Sequence, residues 1–154
     1  MQDNILIKRT TTNDPDFVLL IEQLDDELWK ELNEDQATYD QYNKVPQIST
    51  AIVIYVNGAP VCSGCFKVLE NATAEIKRMF VQKKHRGKGL SKTVLTELEK
   101  WAREKNISTL ILETSIHFKV ARSLYQNAGF NIIDNYGPYK DLAESVCMQK
   151  RLLP

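Results

Sequence analysis

The stretch QKKHRGKGLSK, Gln82 to Lys92, sets cationic side chains around Gly87 and Gly89 immediately ahead of an apolar run with helical period. These are the residue types of an anion seat. The first turn of a helix carries N–H groups with no partner inside the helix, and the positive end of the helix dipole adds to their pull on a phosphate. Glycine lets such a ligand approach without a Cβ in the way, and Arg86 and Lys88 would add charge-assisted contacts. The spacing excludes two familiar phosphate loops. A Walker loop needs Lys-Ser/Thr after its second glycine, whereas Gly89 is followed by Leu90 and Ser91; a dinucleotide fingerprint needs a third glycine where Lys92 stands.

Charge alone does not make this stretch a nucleic-acid site. Lys+Arg and Asp+Glu are both 20 in 154 residues, so no global positive field recruits nucleic acid or an anionic membrane. Other reactive residues lack partners. Cys62-Ser63-Gly64-Cys65 has a metal-like spacing without a second pair, and in a strand its two cysteines would face oppositely, so no metal is expected. The odd count, with Cys147, suits reduced thiols. His85 is expected to assist the basic loop and His117 to face solvent or cap a helix. Trp29 and Trp101, at helical spacing among apolar neighbours, are expected in the core.

The elements that must position the loop can be read in order. Ile5 to Thr10 is strand-like, and Asn13-Asp14-Pro15 is a helix start with Phe17, Leu20, Ile21, Leu24, Leu28 and Leu32 forming one stripe. Glu34 to Pro46 reads equally as a short helix or a loop. Thr50 to Val56 and Pro60 to Leu69 form a hairpin about Asn57-Gly58. Along ATAEIKRMFVQ, alternation puts Ala74, Ile76, Arg78 and Phe80 on one face and Glu75, Lys77, Met79 and Val81 on the other. After the loop come a helix from about Lys88 to near Asn106, the apolar strand STLILETS, a helix from about His117 to Asn127, and closing strands Phe130 to Ile133 and Ser145 to Met148. Strand, helix, strand order predicts a parallel pair in a single-domain α/β fold with a mixed sheet. The N-terminus lacks a signal peptide's pattern and no apolar run is long enough to span a bilayer, so a cytoplasmic protein without membrane partners is expected.

The string VQKKHRGKGLS, preceded by AEIKRMF and followed downstream by LETS, ARSLYQNAGF and SVCMQKRL, resembles the GCN5-related N-acetyltransferase (GNAT) family over nearly the whole chain. The resemblance implies a mostly antiparallel central sheet flanked by helices, with a splayed parallel strand pair at the cofactor site. It implies acetyl-CoA as cosubstrate, its pyrophosphate on the backbone from Arg86 through Ser91 (Arg86, Gly87, Lys88, Gly89, Leu90, Ser91) and its pantetheine arm beside Phe80 and Val81. It makes Tyr125 the general acid for the leaving thiolate; a tyrosine, with an ordinary pKa of about 10, stays protonated at neutral pH. Glu75 is its candidate base. Where many members have Asn ahead of this helix, Phe118 stands here, so Thr114 or a backbone group would make that pantetheine contact.

The implied activity is N-acetylation of a small-molecule or protein amine, by a monomer or a homodimer; a noncatalytic acyl-CoA-binding sensor is the alternative on the same fold. Acceptor specificity would come from Leu28 to Tyr42 and from the loop Tyr136 to Asp141, with Tyr39, Tyr42, Tyr136, Tyr139 and Asp141 as an aromatic, partly acidic wall.

Overall fold

The computed structural model describes residues 2–32 and 47–152. In chain order the elements are β1 (Ile5–Thr10), α1 (Pro15–Leu32), β2 (Ala51–Val56), β3 (Ala59–Val68), β4 (Thr73–Val81), α2 (Leu90–Glu104), β5 (Thr109–Ser115), α3 (Lys119–Asn127), β6 (Asn131–Ile133) and β7 (Ser145–Arg151). Short 3-10 turns lie at Lys83–His85 and Gly137–Tyr139. The strands form one sheet in the order β1-β2-β3-β4-β5-β7-β6, mostly antiparallel, with β4 and β5 parallel. The chain divides into two compact units, Met1–Phe66 with Arg78–Leu98, and Lys67–Lys77 with Glu99–Pro154.

In the first unit α1 starts where the sequence predicts. Asp14 accepts the Asp16 N–H at 2.9 Å and Pro15, which has no N–H to satisfy, takes the first helical position. Phe17 and Leu20 then pack with Ile48, Ala51, Val53, Tyr55, Cys65 and Phe80, flanked by Ile21 and Leu24. Trp29 departs from expectation: it is 58% exposed, because it lies five positions, or about 140°, around the helix from Leu24 and so off the apolar stripe. Trp101 is half-buried. Asn57 and Gly58 both have positive φ (51° and 86°), the conformation that joins β2 to β3 in a tight hairpin. Cys62 lies opposite Ile54 and Cys65 opposite Ala51, on different faces of β3, and all three cysteines are buried and outside any disulfide. On α2's side Gly64 admits Met79 and Val94; a Cβ there would sit 2.6 Å from the Met79 sulfur.

β4 holds one irregularity that nothing in its sequence announces. Arg78 has φ +60°, a left-handed conformation in mid-strand that costs on the order of 1–3 kcal/mol and behaves as a bulge. The strict alternation expected along β4 therefore does not run through Arg78.

In the second unit the β4–β5 ladder pairs Thr73–Ile76 with Thr109–Leu112 and ends there, although the strands run on to Val81 and Ser115. This is the parting parallel pair expected from sequence. β7 pairs with all of β5, and β6 with β7. Gly129, with φ +99°, ends α3 at the predicted place. No described helix is long and apolar enough to cross a membrane.

Candidate active site

The loop Gln82–Gly89 and the start of α2 belong to the first unit. Gly87 and Gly89 have φ values of 77° and 78°, and a Cβ built on either meets nothing within 4 Å. These positions need glycine for their backbone, and they face open space. Thr93 donates its N–H to the Gly89 carbonyl and opens the helical ladder, while the Arg86 N–H closes back on the Lys83 carbonyl. Between them, no N–H from Gly87 through Lys92 has an acceptor among the described residues. A run of unsatisfied N–H groups at the positive end of a fifteen-residue helix is a seat for an anion, and it suits a diphosphate. α2 itself begins at Leu90, two residues later than its charge pattern suggests, and the Leu90 side chain is buried, so Leu90 offers a ligand only its backbone. The Ser91 hydroxyl has no partner among the described residues. Lys83, Lys84 and Lys88 are exposed beside the loop.

Arg86 lies differently from the expectation of a free phosphate ligand. Its Nε donates to the Val81 carbonyl at 2.9 Å, its Nη2 to Glu27 at 2.6 Å, and its guanidinium lies 5.9 Å from the centre of the Phe80 ring. Phe80 and Val81 are buried at the end of β4.

The second unit gathers ionisable groups on one face. In register, Glu75 stands beside Ile111 and Gln149, and two residues on, Glu113 stands beside Cys147. The loop between β6 and β7 covers them. Tyr136 donates its hydroxyl to Glu75 at 2.6 Å, and Lys77 approaches the other Glu75 oxygen at 3.3 Å and the Tyr139 hydroxyl at 3.5 Å. Tyr136 and Tyr139 meet edge-to-face, 5.7 Å between centroids. Asn135 shapes this loop, its amide donating to the carbonyls of Tyr139, Leu142 and Ser145 at 3.1–3.2 Å. Burial, then the Glu75 charge, push the Tyr136 hydroxyl well above its ordinary pKa, so it remains a donor.

Glu75, at 7% exposure, is thus a buried carboxylate held by two partners rather than a solvated one. Glu113 was not singled out by its sequence, yet its carboxyl is strongly perturbed. Burial pushes it from 4.5 up to about 7; the Ser145 hydroxyl, donating at 2.7 Å, and the Lys77 charge pull it down, and Glu75 pushes it further up. A carboxyl that ionises near neutrality takes and gives protons at physiological pH. The signal that could have found it is a lone acidic residue in the otherwise apolar run STLILETS.

Tyr125, on α3, has its ring buried edge-to-face against Phe130, while its hydroxyl has no hydrogen-bond partner among the described residues. Burial raises its pKa well above the ordinary value, which keeps it a proton donor. Thr114 is buried and its hydroxyl is likewise unpartnered, and Phe118 caps α3 without a side-chain hydrogen bond. Of the aromatic wall read from sequence, Tyr136 and Tyr139 come together, Asp141 is exposed with no partner among the described residues, and Tyr39 and Tyr42 lie outside the described residues.

Comparison with known proteins agrees with this geometry. The profile of the Acetyltransferase (GNAT) family matches residues 18–130. An IAA acetyltransferase of Azospirillum brasilense is 36% identical over 83 residues, 54% of this chain and 54% of that protein. An uncharacterised N-acetyltransferase of Bacillus subtilis is 34% identical over 91 residues, 58% of this chain and 60% of that protein. The chain thus spans little more than half the length of these curated relatives in the matched region. A solved structure from Klebsiella pneumoniae, assigned as an acyl-CoA N-acyltransferase, superposes with a TM-score of 0.78 at 30% identity, covering 97% of this chain and 98% of that one. With the profile matched across most of its length, the chain belongs to the GNAT acetyltransferase family.

Proposed function

We propose that the protein transfers an acetyl group from acetyl-CoA to a primary amine of a small molecule or protein, by direct attack within a ternary complex. One observation carries the proposal: the unsatisfied N–H groups from Gly87 through Lys92, at glycines open to a ligand. Acetyl-CoA supplies an activated thioester and a pyrophosphate; Gly87, Lys88, Gly89, Leu90 and Ser91 would hold the latter through their backbone, with Phe80, Val81 and Thr114 along the pantetheine arm.

The remaining work falls to proton transfer. A C–N bond forms as the C–S bond breaks, the amine gives up one proton and the departing sulfur needs one. The carboxylate pair Glu75 and Glu113 accepts the first. Glu113 has the pKa suited to the transfer, while Glu75, already bonded to Tyr136 and Lys77, sets its electrostatics and orders the wall. Tyr125 donates the second proton, its unpartnered hydroxyl and raised pKa both suiting a donor. Tyr136 and Tyr139 line the acceptor side.

The test is free-thiol release from acetyl-CoA across a panel of amines, with Tyr125→Phe alongside. Wild-type turnover with at least one amine and a rate lowered about 100-fold in the variant, at unchanged acetyl-CoA affinity, is the expected outcome. Acetyl-CoA binding with no thiol release from any amine favours the acyl-CoA sensor, and equal rates in both proteins remove Tyr125 from the reaction.

A further inference from the structure

In the first unit α1 is laced to β4 and the glycine loop by polar pairs: Gln23 accepts from Gln82 at 2.9 Å, Asp25 from Arg78 at 2.8 Å, and Glu27 from Arg86 at 2.6 Å. The last pair stands at the base of the anion seat. Among the described residues every contact of the Arg86 side chain, to the Val81 carbonyl, to Glu27 and over the Phe80 ring, points to the strand end or to α1. Nε and Nη2 of the guanidinium are therefore already committed, and the free backbone N–H groups begin at the next residue, Gly87.

We infer that Glu27 is a positioning residue for cosubstrate binding, and that Arg86 acts as a strut between α1 and the end of β4 rather than as a ligand of the pyrophosphate. This inference rests on the loop being the acetyl-CoA site. Glycine-rich backbone loses more conformational freedom on ordering than any other, so a loop whose base is unpinned must lose that freedom when the ligand binds. The Glu27–Arg86 pair removes that cost beforehand by fixing the residue from which the loop springs. Stability gains little from it, since both partners keep a third or more of their side-chain surface in water (33% and 45%). Its effect falls on binding. The charge that meets the pyrophosphate is left to the backbone and to the exposed Lys83, Lys84 and Lys88.

Calorimetric titration of acetyl-CoA into the wild type, Glu27→Gln, Arg86→Ala, the double variant and the charge swap Glu27→Arg/Arg86→Glu, at several salt concentrations, decides between strut and ligand. For a strut, each single variant loses about five- to tenfold in affinity, the double variant loses no more than either single, and the swap recovers part of the loss. The slope of log affinity against log salt stays at the wild-type value in Arg86→Ala, because no phosphate contact has gone. Unchanged or tighter binding by Glu27→Gln, with a shallower slope for Arg86→Ala, would overturn the inference and make Arg86 a phosphate ligand that Glu27 holds back. Circular dichroism reports whether each variant folds; should Arg86→Ala fail to, Glu27→Gln against wild type still separates the two. No binding by the wild type overturns the acetyl-CoA site itself, whereas wild-type binding with an indifferent Glu27→Gln overturns only the strut.

Discussion

A carboxylate with little access to water is governed by what its neighbours offer it, and the buried Glu75 and the half-buried Glu113 receive different offers. Glu75 has a tyrosine hydroxyl and a lysine; Glu113 has the Ser145 hydroxyl, with Glu75's negative charge near enough to raise its pKa. If Glu113 is the base, kcat/KM rises with pH and levels off above about 7, as the carboxyl loses its proton. In Glu113→Gln that limb disappears and the rate falls about 100-fold or more. A slower enzyme that keeps the limb would pass the base role to Glu75. At this scale the sequence is informative where residue type dictates backbone, as at Gly87 and Gly89, and where a motif carries Tyr125. It is silent on Glu113, because only the strand register brings that side chain onto the face of Glu75 and Cys147. Arg86 shows the converse: its position in the motif was legible, but its direction depended on Glu27, 59 residues earlier and on another element.

Elements were legible wherever local chemistry sets their ends. Asp14-Pro15 starts α1, Asn57-Gly58 turns the hairpin and Gly129 stops α3, each through a backbone preference contained in a few residues. Arg78 was not, since nothing in TAEIKRMFV favours a left-handed residue there; the conformation is imposed by surroundings that include the 2.8 Å bond to Asp25. The glycine loop gives the prediction proper to this scale. Gly89→Val must place a β-branched residue at φ +78°, so it should weaken acetyl-CoA binding about ten- to a hundredfold, whereas Lys84→Ala, removing one exposed charge, should cost about twofold. A binding titration with the order reversed would return the loop to a site held by charge.

For the molecule as a whole, the parallel pairing of β4 with β5 follows from the crossover through α2, as the alternation of elements predicted, while residues 33–46, where the sequence left helix and loop open, lie outside the described part. Global stability should also register the carboxylate cluster. The folded value of Glu113, about 7, lies above the ordinary 4.5, so the folded state holds the proton more tightly than the unfolded chain does. The associated stabilisation is complete below about pH 4.5 and is lost as pH rises through about 7, a change of up to about 3 kcal/mol. Urea denaturation of wild type against Glu113→Gln from about pH 5 to pH 8 checks it: the difference between the two should shift in favour of the variant as pH rises, and parallel curves would mean that the folded protein does not raise the Glu113 carboxyl. The left-handed Arg78 has a consequence of another kind. A strand has something like a reading frame, in which odd and even positions answer to opposite faces, and Arg78 shifts that frame by one at the boundary between the two units. Insertions and deletions in β4 are therefore not equivalent along its length: losing the extra residue, Arg78, would leave Met79, Phe80 and Val81 on the faces they already occupy, whereas losing a residue of the regular stretch Thr73–Lys77 would set the residues on either side of the gap on opposite faces, with every residue of the glycine loop still in place in the sequence.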